Sequence, residues 1–310
     1  MNDAVTLFLK GLAMGAANVI PGVSGGTIAL ITGIYERLIN AIRRCDLTAA
    51  RLFFKGQWKA LWAHVDGQWL SILLGGVAIS IVTLARLFEF LLIEHEQYTM
   101  AFFFGLILLS IVYVARTVSH WNSGAAVALL VGTGVATSIA LLAPASQNDS
   151  ATYLFLCGVL AISSMILPGL SGSFILILLG NYALVLGAIS TFSLGILIPL
   201  ALGCAFGLVA FSHVLAWVFR RYADLTLAVM TGFVIGSLVV IWPWKDAISQ
   251  TVQRAGKPPR EVVTSYEWYL PSLSSQDTWI ALLLMIVGAL TVALMERFAL
   301  GTERAGQTET

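Results

Sequence analysis

Long apolar runs separated by short polar segments dominate this chain. A transmembrane helix needs about 20 consecutive and mostly apolar residues. Runs of that length cover about residues 68–92, 98–116, 123–143, 193–219, 225–243 and 278–298. The pattern therefore predicts six transmembrane helices.

Two further apolar regions, 4–42 and 152–190, are each interrupted in the middle by a turn rich in proline and glycine. The turns read Pro21-Gly22-Val23-Ser24-Gly25-Gly26-Thr27 and Pro168-Gly169-Leu170-Ser171-Gly172-Ser173-Phe174. Proline stops an incoming helix. Irregular backbone survives inside a membrane only where it is buried in protein or lines a polar cavity. We therefore expect both regions to form re-entrant helical hairpins.

The two interruptions are copies of each other. A shift of 147 residues places Pro21-Gly22 on Pro168-Gly169 and Ser24-Gly25 on Ser171-Gly172, and a later shift of 127 places Gly105 on Gly232. Because the order of elements repeats as well, the chain is expected to be a duplication with halves at 1–145 and 150–300. The predicted fold is an all-α polytopic membrane protein, with six transmembrane helices plus two re-entrant helical hairpins in an inverted repeat.

Composition and charge support a membrane location and give it a direction. Charged residues make up 11% of the chain, against about 25% in soluble domains. Six of the 17 lysines and arginines fall in the segment 37–59, and positive loops stay in the cytoplasm. Counting spans from that loop places both termini and the tail 301–310 in the cytoplasm. It also makes 244–277 an outer loop.

One segment of the basic loop is amphipathic rather than membrane-spanning. Residues 47–63 mix aromatic side chains with Arg51, Lys55 and Lys59. An interfacial helix lying on anionic lipid headgroups fits this composition, and so does a cytoplasmic linker helix.

The chemistry of the two turns favours an anion. Ser24 and Ser171 are placed to cap the outgoing half-helices, whose free N–H groups and dipoles are suited to phosphate. Ser24, Thr27, Ser171 and Ser173 could all add hydroxyl donors. Two tips that enter from opposite faces would form one central site. The alternative is that the small residues only let helices pack closely.

Charged residues at membrane depth mark a second set of candidates, because they are costly there and usually functional. Arg86 lies well inside a predicted span, and the shift of 127 places His213 at the equivalent position of the second half. Both suit an anionic substrate, although Arg86 could snorkel or pair with Glu89 and His213 could be a helix-contact residue. Glu36 fits either a proton or cation relay or a salt bridge at the rim.

The chain resembles the bacterial family formerly named domain-of-unknown-function family 368. The resemblance lies in the first turn, in the Gly33-Ile34-Tyr35-Glu36 stretch that follows it, and in the second turn. Members of that family are regarded as polyprenyl-phosphate translocases. The resemblance implies a flippase that returns undecaprenyl phosphate from the outer to the cytoplasmic leaflet for recycling of the carrier lipid. It implies that the substrate-binding motif is formed by Pro21, Gly22, Ser24, Gly25, Gly26, Thr27, Pro168, Gly169, Ser171, Gly172 and Ser173.

The second turn departs from the first, because Ser173 and Phe174 stand where the first has Gly26 and Thr27. We therefore do not expect the two hairpins to bind phosphate equivalently. The expected partners are undecaprenyl phosphate and membrane lipids, with no cofactor, metal or nucleic acid. The oligomeric state stays open.

Two other classes of protein remain as alternatives. An enzyme of the undecaprenyl-diphosphate phosphatase type has a similar turn, but hydrolysis needs a general base or metal-binding carboxylates beside the phosphate. No Asp or Glu occurs between Asp3 and Glu36 or between Asp149 and Asp224. The arginine of the phosphatase motif is Gly25 here. A small-anion transporter would use the same dipoles.

Overall fold

A computed structural model describes residues 3–19, 24–142, 144–254 and 257–307. Within these residues the chain forms fourteen helices and one antiparallel pair of strands. The helices are α1 (Asp3–Val19), α2 (Gly25–Ile31), α3 (Tyr35–Arg43), α4 (Leu47–Phe54), α5 (Trp58–His64), α6 (Gly67–Glu94), α7 (Glu96–Arg116), α8 (Ser123–Leu141), α9 (Ala151–Ile166), α10 (Gly172–Leu178), α11 (Tyr182–Thr191), α12 (Leu194–Arg221), α13 (Ala223–Ser237) and α14 (Gln276–Gln307). The strands are β1 (Lys245–Arg254) and β2 (Lys257–Trp268). The predicted all-α polytopic class is confirmed, whereas the strands inside the loop 244–277 were not predicted.

Five helices in the described part of the chain are long and apolar enough to cross a membrane. They contain the spans Gly67–Leu84, Glu96–Arg116, Ser123–Leu141, Leu194–Arg221 and Gln276–Leu294. The sixth predicted span, 225–243, is helical only as far as Ser237 and continues as turns to Ile241. At the other end, α14 extends through Gln307, so the predicted tail 301–310 begins as a continuation of the last helix.

The long helices pack in pairs through glycines. Helix α1 lies along α6, α9 along α12, α8 along α13 and α7 along α14. Lipid exerts no hydrophobic force between helices, so close backbone approach at small residues stabilises such pairs. At each of the following positions an added Cβ would meet the backbone of the partner helix: Gly11, Gly76, Gly105, Gly132, Gly158, Gly203, Gly232 and Gly288.

Replacing one of these glycines is expected to separate a helix pair. In Gly105→Ala the new methyl group would lie against the backbone of Met285 on α14, and overpacking of this kind costs about 1–3 kcal/mol. We expect a melting temperature several degrees lower in detergent. The control is Gly75→Ala on α6, where an added Cβ meets nothing within 4 Å. Equal melting temperatures for the two variants would show that the α7–α14 contact is not tight.

The second interrupted region enters and returns to the same end of the molecule. The Leu178 carbonyl at the end of α10 accepts from the Ala145 N–H at 2.7 Å, just before α9 begins. The Leu179 carbonyl accepts from the Tyr153 hydroxyl at 2.9 Å. The buried Asn181 side chain donates to the Asn148 carbonyl at 2.7 Å. Helix α10 therefore returns beside α9, and α11 then leaves at an angle of 115°.

The first interrupted region follows the same course where it is described. The Lys10 ammonium on α1 donates to the Thr32 carbonyl at the end of α2, at 2.7 Å. The Asn18 side chain accepts from the Gly25 N–H at 2.8 Å. Helix α2 thus runs back alongside α1. The first residues of the predicted turn, including Pro21 and Gly22, lie outside the described residues.

The amphipathic segment 47–63 forms two helices, because the chain turns at Gly56 with a left-handed φ of +67°. Side chains of both helices are more than half exposed: Leu47, Phe53, Phe54, Trp58 and Trp62. Arg51, Lys55 and Lys59 are exposed among them. Exposed aromatic and basic side chains on one short pair of helices fit a location at the lipid headgroups.

Candidate functional site

The two interrupted turns meet each other inside the protein. The Ser24 hydroxyl donates to the Leu167 carbonyl at 3.3 Å. The Gly169 N–H donates to the Thr27 hydroxyl at 3.1 Å. Two of the predicted site segments, more than 140 positions apart in the chain, are therefore joined by direct hydrogen bonds. We call this contact the tip junction.

A third bond to the second turn comes from Tyr35, whose hydroxyl donates to the Ile166 carbonyl at 3.0 Å. Tyr35 is 2% exposed, and it begins α3 directly after the first hairpin. From the sequence, this tyrosine was not expected to belong to the site. Its place in the Gly33–Glu36 stretch was the only sequence feature that pointed to it. The hydrogen bond could not be predicted, because its partner lies 131 positions away.

At the first tip the hydroxyl groups are already occupied. Ser24 caps α2, because its Oγ accepts from the Gly26 N–H at 3.1 Å while it also donates to Leu167. Thr27 is fully buried against Gly169. An added Cβ on Gly26 would lie 2.9 Å from the Ile166 carbonyl oxygen. This tip is therefore built to hold the second hairpin.

At the second tip the hydroxyl groups remain available. Ser171 precedes α10, but its side chain makes no capping bond. Its Oγ lies 2.8 Å from the Oγ of Ser173, which is exposed. Pro168, Gly169 and Gly172 are buried around them. Ser173 stands where the first turn has Gly26. Together with Ser171 it supplies a pair of neighbouring hydroxyls that the first tip does not have.

The second tip borders a crevice that we call the serine crevice. Its walls come from the turn, α8 and the end of α13. They are formed by Ala136, Ile139, Ala140, Gly169, Leu170, Ser171, Phe174, Ser237 and Val240. Most of these side chains are apolar, so the serine hydroxyls and backbone amides of the turn are the polar groups that a ligand would meet.

A second crevice, the arginine crevice, lies between α3 and α12. It is lined by Tyr35, Glu36, Ile39, Asn40, Ala216, Phe219 and Arg220. Arg220 is next to the junction of α12 and α13, whereas Ser237 is 14 residues along α13 from Ala223. At 1.5 Å per residue that is about 21 Å. The two crevices therefore lie near opposite ends of α13. The tip junction lies between them, because Tyr35 lines one crevice, Gly169 lines the other, and both make hydrogen bonds at the junction.

The remaining candidates are not brought to the tip junction by the contacts of the described residues. His213 is exposed on α12, and its Nδ1 lies 2.8 Å from the Val209 carbonyl of the same helix. Arg86 belongs to α6, but its side chain lies outside the described residues. Glu36 is exposed and lines the arginine crevice. No three His, Cys, Asp or Glu side chains of the described residues are grouped to hold a metal ion.

A helical protein with several spans, in which two interrupted helices meet between two separate crevices, has the architecture of membrane transporters. Residues 14–258 match the model of the undecaprenyl phosphate translocase-like family, and the chain belongs to that family.

Two relatives show the same kinship over most of the chain. A protein of Vibrio cholerae serotype O1 named polyprenyl-phosphate transporter is 41% identical over 300 residues, covering 95% of this chain and 97% of the relative. A Staphylococcus aureus protein with the same name is 31% identical over 253 residues, covering 76% of this chain and 85% of the relative. No solved structure matches the chain.

Proposed function

We propose that this protein is a translocase that returns undecaprenyl phosphate from the outer to the cytoplasmic leaflet of the bacterial inner membrane. The observation that carries the proposal is the tip junction, which lies between two separate crevices. A lipid phosphate must cross the apolar centre of the bilayer, and interrupted helices offer it polar groups there. The family and the names of the two relatives agree with this substrate.

The proposal includes two halves, 1–145 and 150–300, inserted in opposite directions, with the basic segment 37–59 and both termini in the cytoplasm. The matching of helix pairs supports the duplication, and the Lys/Arg-rich segment 37–59 supports the orientation. The pair α1–α6 of the first half corresponds to α9–α12 of the second, and α7–α14 corresponds to α13–α8. In this orientation the arginine crevice opens toward the cytoplasm and the serine crevice toward the outer side.

We assign different tasks to the two tips. Ser171 and Ser173, with the N–H groups at the start of α10, bind the phosphate from the serine crevice, because their hydroxyls are not used elsewhere. Ser24 and Thr27 hold the tips together. Arg86 remains a candidate cation within its span, and the exposed ring of His213, which bonds to its own helix, makes it a weaker candidate.

Hydrolysis and lipid transport predict different products. We expect no inorganic phosphate to be released when the reconstituted protein is given undecaprenyl diphosphate with or without Mg²⁺. The reason is that, within the described residues, the hydrogen bonds of the tip junction involve hydroxyl, amide and carbonyl groups and no carboxylate that could activate water. Metal-dependent phosphate release at enzymatic rates, lost in Ser171→Ala, would support the phosphatase alternative.

The same liposomes separate a lipid translocase from a small-anion transporter. Undecaprenyl phosphate placed in the outer leaflet is expected to become inaccessible to an external phosphatase at a rate that depends on the protein. Inorganic phosphate trapped inside is expected to stay there. Protein-dependent efflux of inorganic phosphate without lipid movement would instead assign the site to small anions.

A further inference from the structure

The arginine crevice combines a polar rim with an apolar wall. Arg220, Asn40 and Glu36 supply the polar groups, and Ile39, Ala216 and Phe219 supply the apolar surface. The ring of Tyr35 closes its inner end, with its centroid 6.4 Å from that of Phe219. The crevice has room for about one water molecule, so a ligand would lie at its mouth. There the adjacent polar and apolar groups suit a charged head and the hydrocarbon next to it.

The surroundings of Arg220 differ from those of Arg37, Arg116 and Arg221. Arg37 is paired with Asp66 at 2.9 Å, and Arg116 lies over the ring of Tyr113. Arg221 lies 6.0 Å from the centroid of the Tyr222 ring and is not among the residues that line the crevice. Arg220 is exposed at the crevice and has no ion pair with any described residue.

We propose that the arginine crevice is a second binding site for the polyprenyl phosphate, in which Arg220 and Asn40 hold the phosphate head while Ile39 and Phe219 contact the first isoprenoid units. The inference rests on the proposed function, since it assigns the position that the lipid occupies after passing the tip junction. A guanidinium group presents two parallel N–H donors to phosphate oxygens, and an amide can add another donor.

Glu36 is expected to favour release of the ligand from this site. Its carboxylate lines the same crevice as Arg220, and a like charge near the phosphate weakens binding. A release site benefits from moderate affinity, because a lipid held too tightly would block the next cycle. Glu36→Gln is therefore expected to strengthen binding and slow turnover.

Tyr35 connects this crevice to the tip junction. Its ring lines the crevice, while its hydroxyl donates to the Ile166 carbonyl directly before the second turn. A lipid head beside Asn40 and Arg220 therefore lies within one side chain of the contact between the hairpins. This position suits a ligand that leaves the junction.

The test compares two adjacent arginines that carry the same charge. Arg220→Ala and Arg221→Ala are reconstituted at equal protein content, and binding of undecaprenyl phosphate is measured by native mass spectrometry together with inward transport in liposomes. We expect Arg220→Ala to weaken binding about tenfold or more, Arg221→Ala to stay within about twofold, and Arg220→Lys to fall between them. Glu36→Gln is expected to bind more tightly than the wild type.

The outcomes separate the inference from the proposed function. If the wild-type protein neither binds nor transports undecaprenyl phosphate, the proposed function is wrong and the inference falls with it. If the wild type transports the lipid but the two alanine variants behave alike, only the inference is wrong. An equal loss in both would show a general attraction of anionic lipid, and phosphatidylglycerol binding measured in parallel would fall equally. Should Arg220→Ala fail to fold, Asn40→Asp adds a negative charge to the crevice, and unchanged lipid binding there would overturn the inference.

Discussion

Alanine at Gly169 is expected to reduce inward transport of undecaprenyl phosphate by at least about tenfold. Gly169 has a φ of +81°, which side chains rarely adopt, and an added Cβ would lie 2.6 Å from the carbonyl carbon and oxygen of Phe233 on α13. Its N–H also donates to Thr27 across the tip junction. Backbone strain of this kind costs about 1–3 kcal/mol, and the contact with α13 adds to it. The turn must therefore move, and the tip junction must change with it.

Gly33 provides the matched control for this variant. It has a similar φ of +72°, but an added Cβ there meets nothing within 4 Å. Gly33→Ala therefore carries the backbone strain without the clash, and we expect transport to be several-fold higher than in Gly169→Ala. Transport in liposomes and the melting temperature in detergent are measured for both. Equal losses would mean that strain in a glycine turn, rather than the position of the second tip, limits the protein.

The sequence was informative wherever a local signal determines the backbone. A Pro-Gly pair inside an apolar run predicted both interruptions, because proline removes a helical hydrogen bond and glycine permits the turn. The spacing of glycines such as Gly105 and Gly232 followed the same repeat and marks the places where helices touch. These features depend on residues close together in the chain, so a single sequence carries them.

The sequence was least informative where the partner is distant or the pattern is ambiguous. The apolar run 225–243 does not reveal that α13 ends at Ser237. Val239 and Val240 lie in a turn, but they are as apolar as the residues of the helix. Pairing of β1 with β2 has no signal in hydropathy. From the sequence, Arg220 indicated only the cytoplasmic side of the membrane. Its place in a crevice could not be predicted, because the crevice is completed by α3, which is distant in the chain.

The same limit explains why the four hydroxyls of the two turns could not be given separate tasks from the sequence. From the sequence, Ser24, Thr27, Ser171 and Ser173 were all expected as phosphate donors. The hydrogen bonds divide them, because Ser24 and Thr27 bond to the opposite turn whereas Ser171 and Ser173 bond to each other. Buried hydrogen bonds stabilise the contact between the turns. Two hydroxyls at a crevice can give up the bond to each other and bond to a ligand instead.

The hydroxyl division predicts opposite consequences for the two tips. Replacing both Ser171 and Ser173 with alanine is expected to weaken binding of undecaprenyl phosphate by at least about tenfold, since each hydrogen bond to a charged group contributes about 1.5–3 kcal/mol. The melting temperature should change little, because within the described part of the chain the two hydroxyls bond only to each other. Binding is measured by native mass spectrometry and melting in detergent.

Thr27→Val is expected to show the reverse pattern. Valine keeps the shape of the fully buried threonine but leaves the Gly169 N–H without its acceptor, and an unsatisfied buried donor costs about 1–3 kcal/mol. The melting temperature should therefore fall by several degrees, while Thr27→Ser, which keeps the hydroxyl, should retain most of the stability. If Thr27→Val instead abolished lipid binding at unchanged stability, while the double alanine variant still bound the lipid, the phosphate would lie at the first tip. The tasks that we assign to the two turns would then have to be exchanged.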